Sequence, residues 1–351
     1  MRAVSLVALL TLAACGGASP QAEAQGSASL PAAAAGPTPP PSTDPAAPHF
    51  AFPVACRIGH DCVIQHYVDR DPGPGSLDYH CGPHTYDTHT GVDFRVADIP
   101  AQQRGVDVLA AAPGRVLRVR DGVEDVFKTP DQINPKDPIG LGNAVVIDHG
   151  NGWLSAYGHM AKGSVRVKPG DAVTTGQPVG RIGLSGLTEF PHLHFEVRHN
   201  GAIADPFGPE AVAAGACPNQ ASLWTADAAA QMPYADAFIL NAGFTSEQVG
   251  MRQVEEGAIP PASAEGPALI AYARTVMMRA GDTVESTLLG PKGEVIARSV
   301  TEPLTRTRAQ DLRIIGKRRP AEGFAPGAYR AQFRVLRNGR VVAERTVETR
   351  V

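Results

Sequence analysis

Short runs of β-type residues, each stopped by glycine or proline, constrain this chain most, with 37 Gly and 31 Pro among its 351 residues. Between Phe50 and Cys217 the runs are Val116 to Arg120, Ala144 to Asp148, Trp153 to Tyr157, Val179 to Ile182 and Leu193 to Arg198. β-branched and aromatic side chains suit a pleated, half-buried strand, and the glycines and prolines between them supply turns. No long amphipathic helix interrupts them, so the fold class is mainly β. After Ala268 alternation returns in Val284 to Leu289, Val295 to Ala297, Tyr329 to Leu336 and Val341 to Val347. Asn338-Gly339 between the last two runs is a type I′ hairpin signal, and Gly290-Pro291-Lys292-Gly293 marks another turn. Strands and turns at this spacing predict a small C-terminal β-sandwich.

At roughly 150 residues per domain, the length makes about two domains plus extensions. Hydrophobic residues are 43% and charged residues 19%, enough apolar material for packed cores. A formal charge of −3 with both signs interspersed lacks the basic stripe that a phosphate backbone requires, so no nucleic-acid partner is expected. Arg2, an apolar run from Ala3 to Ala14 and then Cys15 have the layout of an export signal, too short to span a bilayer. Leu12-Ala13-Ala14-Cys15 resembles the lipobox of bacterial lipoproteins, which implies cleavage before Cys15 and acylation of its thiol. The alternative is an ordinary signal peptide cut near Ala14. The expected organisation is a lipoprotein signal peptide (1–14), lipidated Cys15 with a Pro/Ala-rich disordered tether (15–48), an N-terminal extension (49–83), a motif-bearing domain (84–217), a linker (218–267) and the sandwich (268–351).

Apart from Cys15, the cysteines are Cys56, Cys62, Cys81 and Cys217, an even number in a chain that reads as exported. Three sets of pairings are possible. Cys56 with Cys62 and Cys81 with Cys217 is favoured, the first pair being close in sequence and the second clasping both ends of the motif-bearing segment. In the chain-entropy view that long clasp contributes roughly 5 kcal/mol.

Among eleven histidines, one group has the spacing of ligands. In His192-Leu193-His194-Phe195-Glu196-Val197, alternation puts both imidazoles on one strand face and the apolar side chains on the other. A solvated strand face that happens to carry histidines would show the same pattern. In His89-Thr90-Gly91-Val92-Asp93, Gly91 favours an extended segment and close backbone approach, so His89 and Asp93 fall on one face. Two nitrogens and one carboxylate make the three-donor set of a catalytic zinc, with a fourth position open. His159 ends a third segment, Tyr157-Gly158-His159.

This ordered set resembles the lysostaphin/LytM-type peptidoglycan endopeptidases, whose hallmarks are His-x-Gly-x-Asp, Tyr-x-His and His-x-His. The resemblance runs from about His84 to Pro206 and includes Ala112 to Val116, Gly142-Asn143, Val146 to Gly150 and the glycine-rich turns from Val165 to Gly186. It implies a twisted antiparallel β-sheet, Zn2+ held by His89, Asp93 and His194, and His159 and His192 as the catalytic histidines outside the ligand set. His192, beside the ligand strand, is preferred as the base. Glu196 is expected to partner a ligand histidine, His149 to be structural, and His60, His66, His80, His84, Trp153 and Trp224 to lie at the surface or in packing.

The favoured function is hydrolysis of cross-links or stem peptides of peptidoglycan, since all five metal and catalytic positions are present. A non-catalytic activator of another wall hydrolase and a structural tether between membrane and wall are the alternatives. Expected partners are peptidoglycan, a membrane through the lipid anchor, and an envelope protein through the C-terminal domain. Gly16 after Cys15 favours the periplasmic face of the outer membrane. The inserted loop from Val123 to Gly142, or the segment before His84, is expected to narrow the groove and regulate access.

Overall fold

The alternating runs of the first part build one large antiparallel sheet. The structure, a computed structural model, describes residues 47–134, 136–208, 221–235 and 237–351. Its first strands are β1 (Cys62–His66), β2 (Val92–Val96), β3 (Asp107–Leu109), β4 (Gly114–Arg120), β5 (Asn143–Gly150), β6 (Trp153–Met160), β7 (Ala172–Val173), β8 (Pro178–Arg181), β9 (His192–His199) and β10 (Ala202–Ile203). The sheet runs β1-β2-β9-β6-β5-β4-β7 with β10 on β9, while β3 and β8 form a separate pair. Four of the five expected runs lie inside strands, and the fifth overlaps β8, ending one residue beyond it.

One face of the sheet is apolar. Val92, Phe94 and Val96 on β2 and Leu193, Phe195 and Val197 on β9 are fully buried, each worth about 1.5–3 kcal/mol of apolar burial. Phe50 and Trp224 close this core, with Phe195 within 5.6 Å of both rings. The backbone of Phe50 bonds to Leu223 and Thr225, so a segment before the sheet and one after it are laced together. The expected extension 49–83 is therefore part of this body, since β1 is the strand next to β2.

A short helix, α1 (Ile99–Gln103), lies between β2 and β3; the second part adds α2 (Ala226–Gln231), β11 (Phe238–Thr245), α3 (Met251–Glu256), β12 (Ala268–Met278), β13 (Thr283–Leu289), β14 (Val295–Val300), β15 (Arg308–Arg318), β16 (Ala328–Arg337) and β17 (Arg340–Arg350). Sheets β11-β12-β15 and β14-β13-β16-β17 enclose Ile239, Ala271, Val284, Leu288, Phe333 and Val335. Asn338 and Gly339 take φ of 50° and 75°, as a type I′ hairpin requires. The expected linker 218–267 needs correction, because it contains α2, β11 and α3. Asn241 and Gly243 interrupt the strand pattern of β11, but pairing along β12 from Phe238 to Thr245 overrides that weak propensity.

Cys56 and Cys62 are joined, with Cα atoms 6.1 Å apart. Cys81 is also disulfide-bonded; Cys217 and the lipidation candidate Cys15 lie outside the described residues.

Candidate metal centre

Strand register delivers the centre. β2 and β9 run antiparallel with Asp93 opposite His194 and Arg95 opposite His192. Alternation sends these four side chains to the face away from the core. Gly158 on β6 sits opposite His194, and at His159 the backbone turns left-handed, φ 56°. That conformation costs a non-glycine residue about 1–3 kcal/mol and persists only where the surrounding structure holds it. It leaves the His159 ring 4.6 Å from the His192 ring, centroid to centroid.

Three donor atoms converge. His89 Nε2 lies 3.2 Å from Asp93 Oδ1, His194 Nδ1 lies 3.0 Å from the same oxygen, and the two nitrogens are 3.3 Å apart. Zinc bonds of about 2.0–2.2 Å in a tetrahedron set neighbouring donors roughly 3.3 Å apart, so this triangle fits such an ion. His159, His192 and His194 also gather their nitrogens within 4.8 Å, but that set lacks a carboxylate to balance a dication. All three side chains of the triangle are buried. Burial alone would raise the Asp93 carboxyl, yet His89, His192 and His194 hold it well below the usual carboxylate range.

Backbone carbonyls fix the tautomers. His89 Nδ1–H donates to Tyr67 O at 2.7 Å, His159 Nδ1–H to Ser185 O at 2.8 Å and His192 Nδ1–H to Phe190 O at 2.9 Å. In its neutral form, each ring so held turns Nε2 toward the centre as a lone-pair donor. His192 Nε2 is 3.3 Å from Asp93 Oδ1. Burial, with His192 and His194 adding to it, pushes His159 well below the ordinary histidine range, so it rests neutral.

The surroundings divide the sequence expectations. Glu196 Oε2 is 3.9 Å from His194 Nε2, too long for a hydrogen bond, and accepts instead from Thr90 Oγ1 at 2.6 Å. Glu196 is thus an electrostatic neighbour of His194. His149 bridges Pro113 O and Ser155 Oγ, both at 2.8 Å, in keeping with a structural role. His60 and His80 are exposed and His84 faces Arg279 at 3.3 Å. His66 departs from expectation: it stands beside Asp93, with Nδ1 3.0 Å from Oδ2. The inserted loop is strapped along residues 184–188, through Val126 N to Leu184 O and Lys128 N to Thr188 O. It thereby backs the segment that supplies Ser185 O to His159.

An antiparallel sheet with a buried histidine–carboxylate triangle on one face is the class of domain the sequence resemblance implies. Residues 87–206 match the family model described as Peptidase family M23, which bears out that LytM-type resemblance. The chain is 33% identical over 129 residues to the DD-carboxypeptidase/endopeptidase Mpg of Neisseria meningitidis serogroup B, covering 35% of this chain and 23% of that protein. It is 34% identical over 106 residues to the lipoprotein NlpD/LppB homolog of Pseudomonas aeruginosa (30% of each chain). It is 34% identical over 102 residues to the murein hydrolase activator EnvC of Escherichia coli (29% of this chain, 20% of that one). The chain thus spans less than a third of the length of these curated relatives. Among solved structures, a mutant catalytic domain of the prophage-encoded M23 protein EnpA from Enterococcus faecalis is 29% identical, covering 46% of this chain and 94% of that one, with a TM-score of 0.30.

Proposed function

We propose that this chain is a zinc-dependent endopeptidase that hydrolyses peptide cross-links or stem peptides of bacterial peptidoglycan. The observation that carries this reading is the triangle of His89 Nε2, Asp93 Oδ1 and His194 Nδ1, with separations of 3.0–3.3 Å. These three residues would hold Zn2+. Bound there, the ion supplies Lewis acidity, polarising the scissile carbonyl and bringing a water near its ionisation at neutral pH. His192 Nε2 takes the proton from the attacking water, because its Nδ1 hydrogen is committed to Phe190 O. His159, neutral at rest with its Nδ1–H held by Ser185 O and its ring 4.6 Å from that of His192, accepts through Nε2 the proton that His192 took from water and passes it to the leaving amine.

The chain would act in the envelope, anchored through lipidated Cys15 to the periplasmic face of the outer membrane. The names of two relatives, one a lipoprotein and one an outer membrane lipoprotein, support an envelope lipoprotein. The C-terminal sandwich would present a surface to an envelope protein. The likeness to EnvC favours a second reading, a non-catalytic activator of a wall hydrolase.

Zinc-loaded protein should release peptide fragments from purified sacculi, detected by mass analysis, and a chelator or His194→Ala should lower release at least a hundredfold. Full activity in His194→Ala would sink the ligand assignment. Protein that holds stoichiometric zinc, releases nothing and stimulates an amidase would establish the activator reading instead.

A further inference from the structure

We infer that His66 is a positioning residue that orients the Asp93 carboxylate for metal binding, a role that rests on Asp93 being a ligand. β1 pairs with β2 in regular register from Cys62↔Val96 to Ile64↔Phe94, then skips a residue so that His66, not Gln65, stands opposite Asp93. This β-bulge sets two side chains against the polar face: Gln65 accepts from Arg95 at 2.6 Å and His66 meets Asp93. Bulges next to active sites commonly re-aim a side chain in this way.

The chemistry of the contact is one-directional. A carboxylate oxygen only accepts, so His66 Nδ1–H donates to Asp93 Oδ2 across 3.0 Å. Oδ2 is thereby occupied and Oδ1 turned into the donor triangle. The ring is itself held, edge-on to Tyr86 at 5.3 Å and to His89 at 5.9 Å. Only 11% of its side chain is exposed. The strand that carries it is tied at its first residue by the Cys56–Cys62 disulfide. Groups that hydrogen-bond a metal ligand from behind typically control metal affinity by 10–100-fold.

The test measures the zinc dissociation constant of the full chain by competition with a chromophoric chelator. His66→Asn is compared with the similarly sized His66→Leu, and circular dichroism and thermal unfolding of the apo-proteins check the fold. The Asn amide places a donor where Nδ1 stood and Leu does not. His66→Leu should bind zinc 10–100-fold more weakly and His66→Asn within about threefold of the native protein. Equal weakening in the two variants, or native affinity in His66→Leu, overturns the proposal and leaves His66 a packing residue. If His66→Leu fails to fold, His66→Phe, which keeps a ring and no donor, takes its place in the comparison. Asp93→Ala separates the two levels: native zinc affinity there removes the ligand assignment itself, whatever His66 does.

Discussion

A β-carbon on Gly91 would stand 2.6 Å from His194 Cε1 and 2.8 Å from the carbonyl oxygen of Phe195. The imidazole could swing aside only by leaving the triangle, and the carbonyl is fixed in the β2–β9 ladder. Gly91→Ala therefore retains every proposed ligand and still disturbs the centre, at an overpacking cost of roughly 1–3 kcal/mol. Zinc affinity should fall at least tenfold; titration that returns the native constant would show that the strands part without cost. Asp93, His192 and His194 were legible in the sequence because strand alternation converts spacing into direction, whereas His89 and Gly91 lie just ahead of β2 and were read from the extended segment that a glycine there favours. His159 was legible only through its family segment, because a left-handed φ of 56° takes it out of the alternation. His66 was not legible at all. Its direction depends on one inserted residue in β1, and nothing in the run Cys62 to His66 marks where that insertion falls.

Elements that looked unrelated in sequence meet behind the centre. Arg95 on β2 and Arg274 on β12 both donate to Glu255 Oε2 on α3, and all three side chains are buried. Arg274 reaches further, to Asn241 Oδ1 on β11 and the Ala97 carbonyl. Arg95 lies 4.2 Å from the ring centroid of Phe190, whose carbonyl holds His192. One carboxylate thus bridges two guanidinium groups between the large sheet and the C-terminal sandwich. Removing it strands both cations away from water, which typically costs about 3–5 kcal/mol for a broken buried pair. Glu255→Ala should lower the unfolding free energy in urea by that amount or more; a loss below 1 kcal/mol would mean that water or other groups reach the arginines. None of this was readable beforehand. Glu255 falls in the stretch taken as linker, and 160 residues separate it from Arg95. β15 was hidden in a different way: Arg308, Lys317 and Arg318 occupy exposed positions along it, so its apolar period is broken.

At the scale of the molecule, the boundaries expected from the motifs do not coincide with the boundaries of packing. The core under the centre gathers Phe50, Val63, Ile64 and Tyr67 from before residue 84. From beyond residue 217 it takes Leu223, Trp224, Met232, Val276 and Met277. Motifs identify residues that do chemistry, whereas a packed core is defined by whatever apolar surface covers it, and here the cover comes from both flanks. A fragment of residues 84–217 would keep every proposed metal and catalytic residue yet lose β1, with His66 and Gln65, and the fully buried Trp224. Several large apolar side chains, each worth roughly 1.5–3 kcal/mol when buried, would then face water, against a total stability of only about 5–15 kcal/mol for a domain. The fragment should show no cooperative unfolding transition and bind zinc weakly, while a chain of residues 47–351 should melt cooperatively and hold zinc stoichiometrically. Comparable thermal unfolding and zinc titrations for the two would show that the flanking segments merely rest on a self-sufficient sheet.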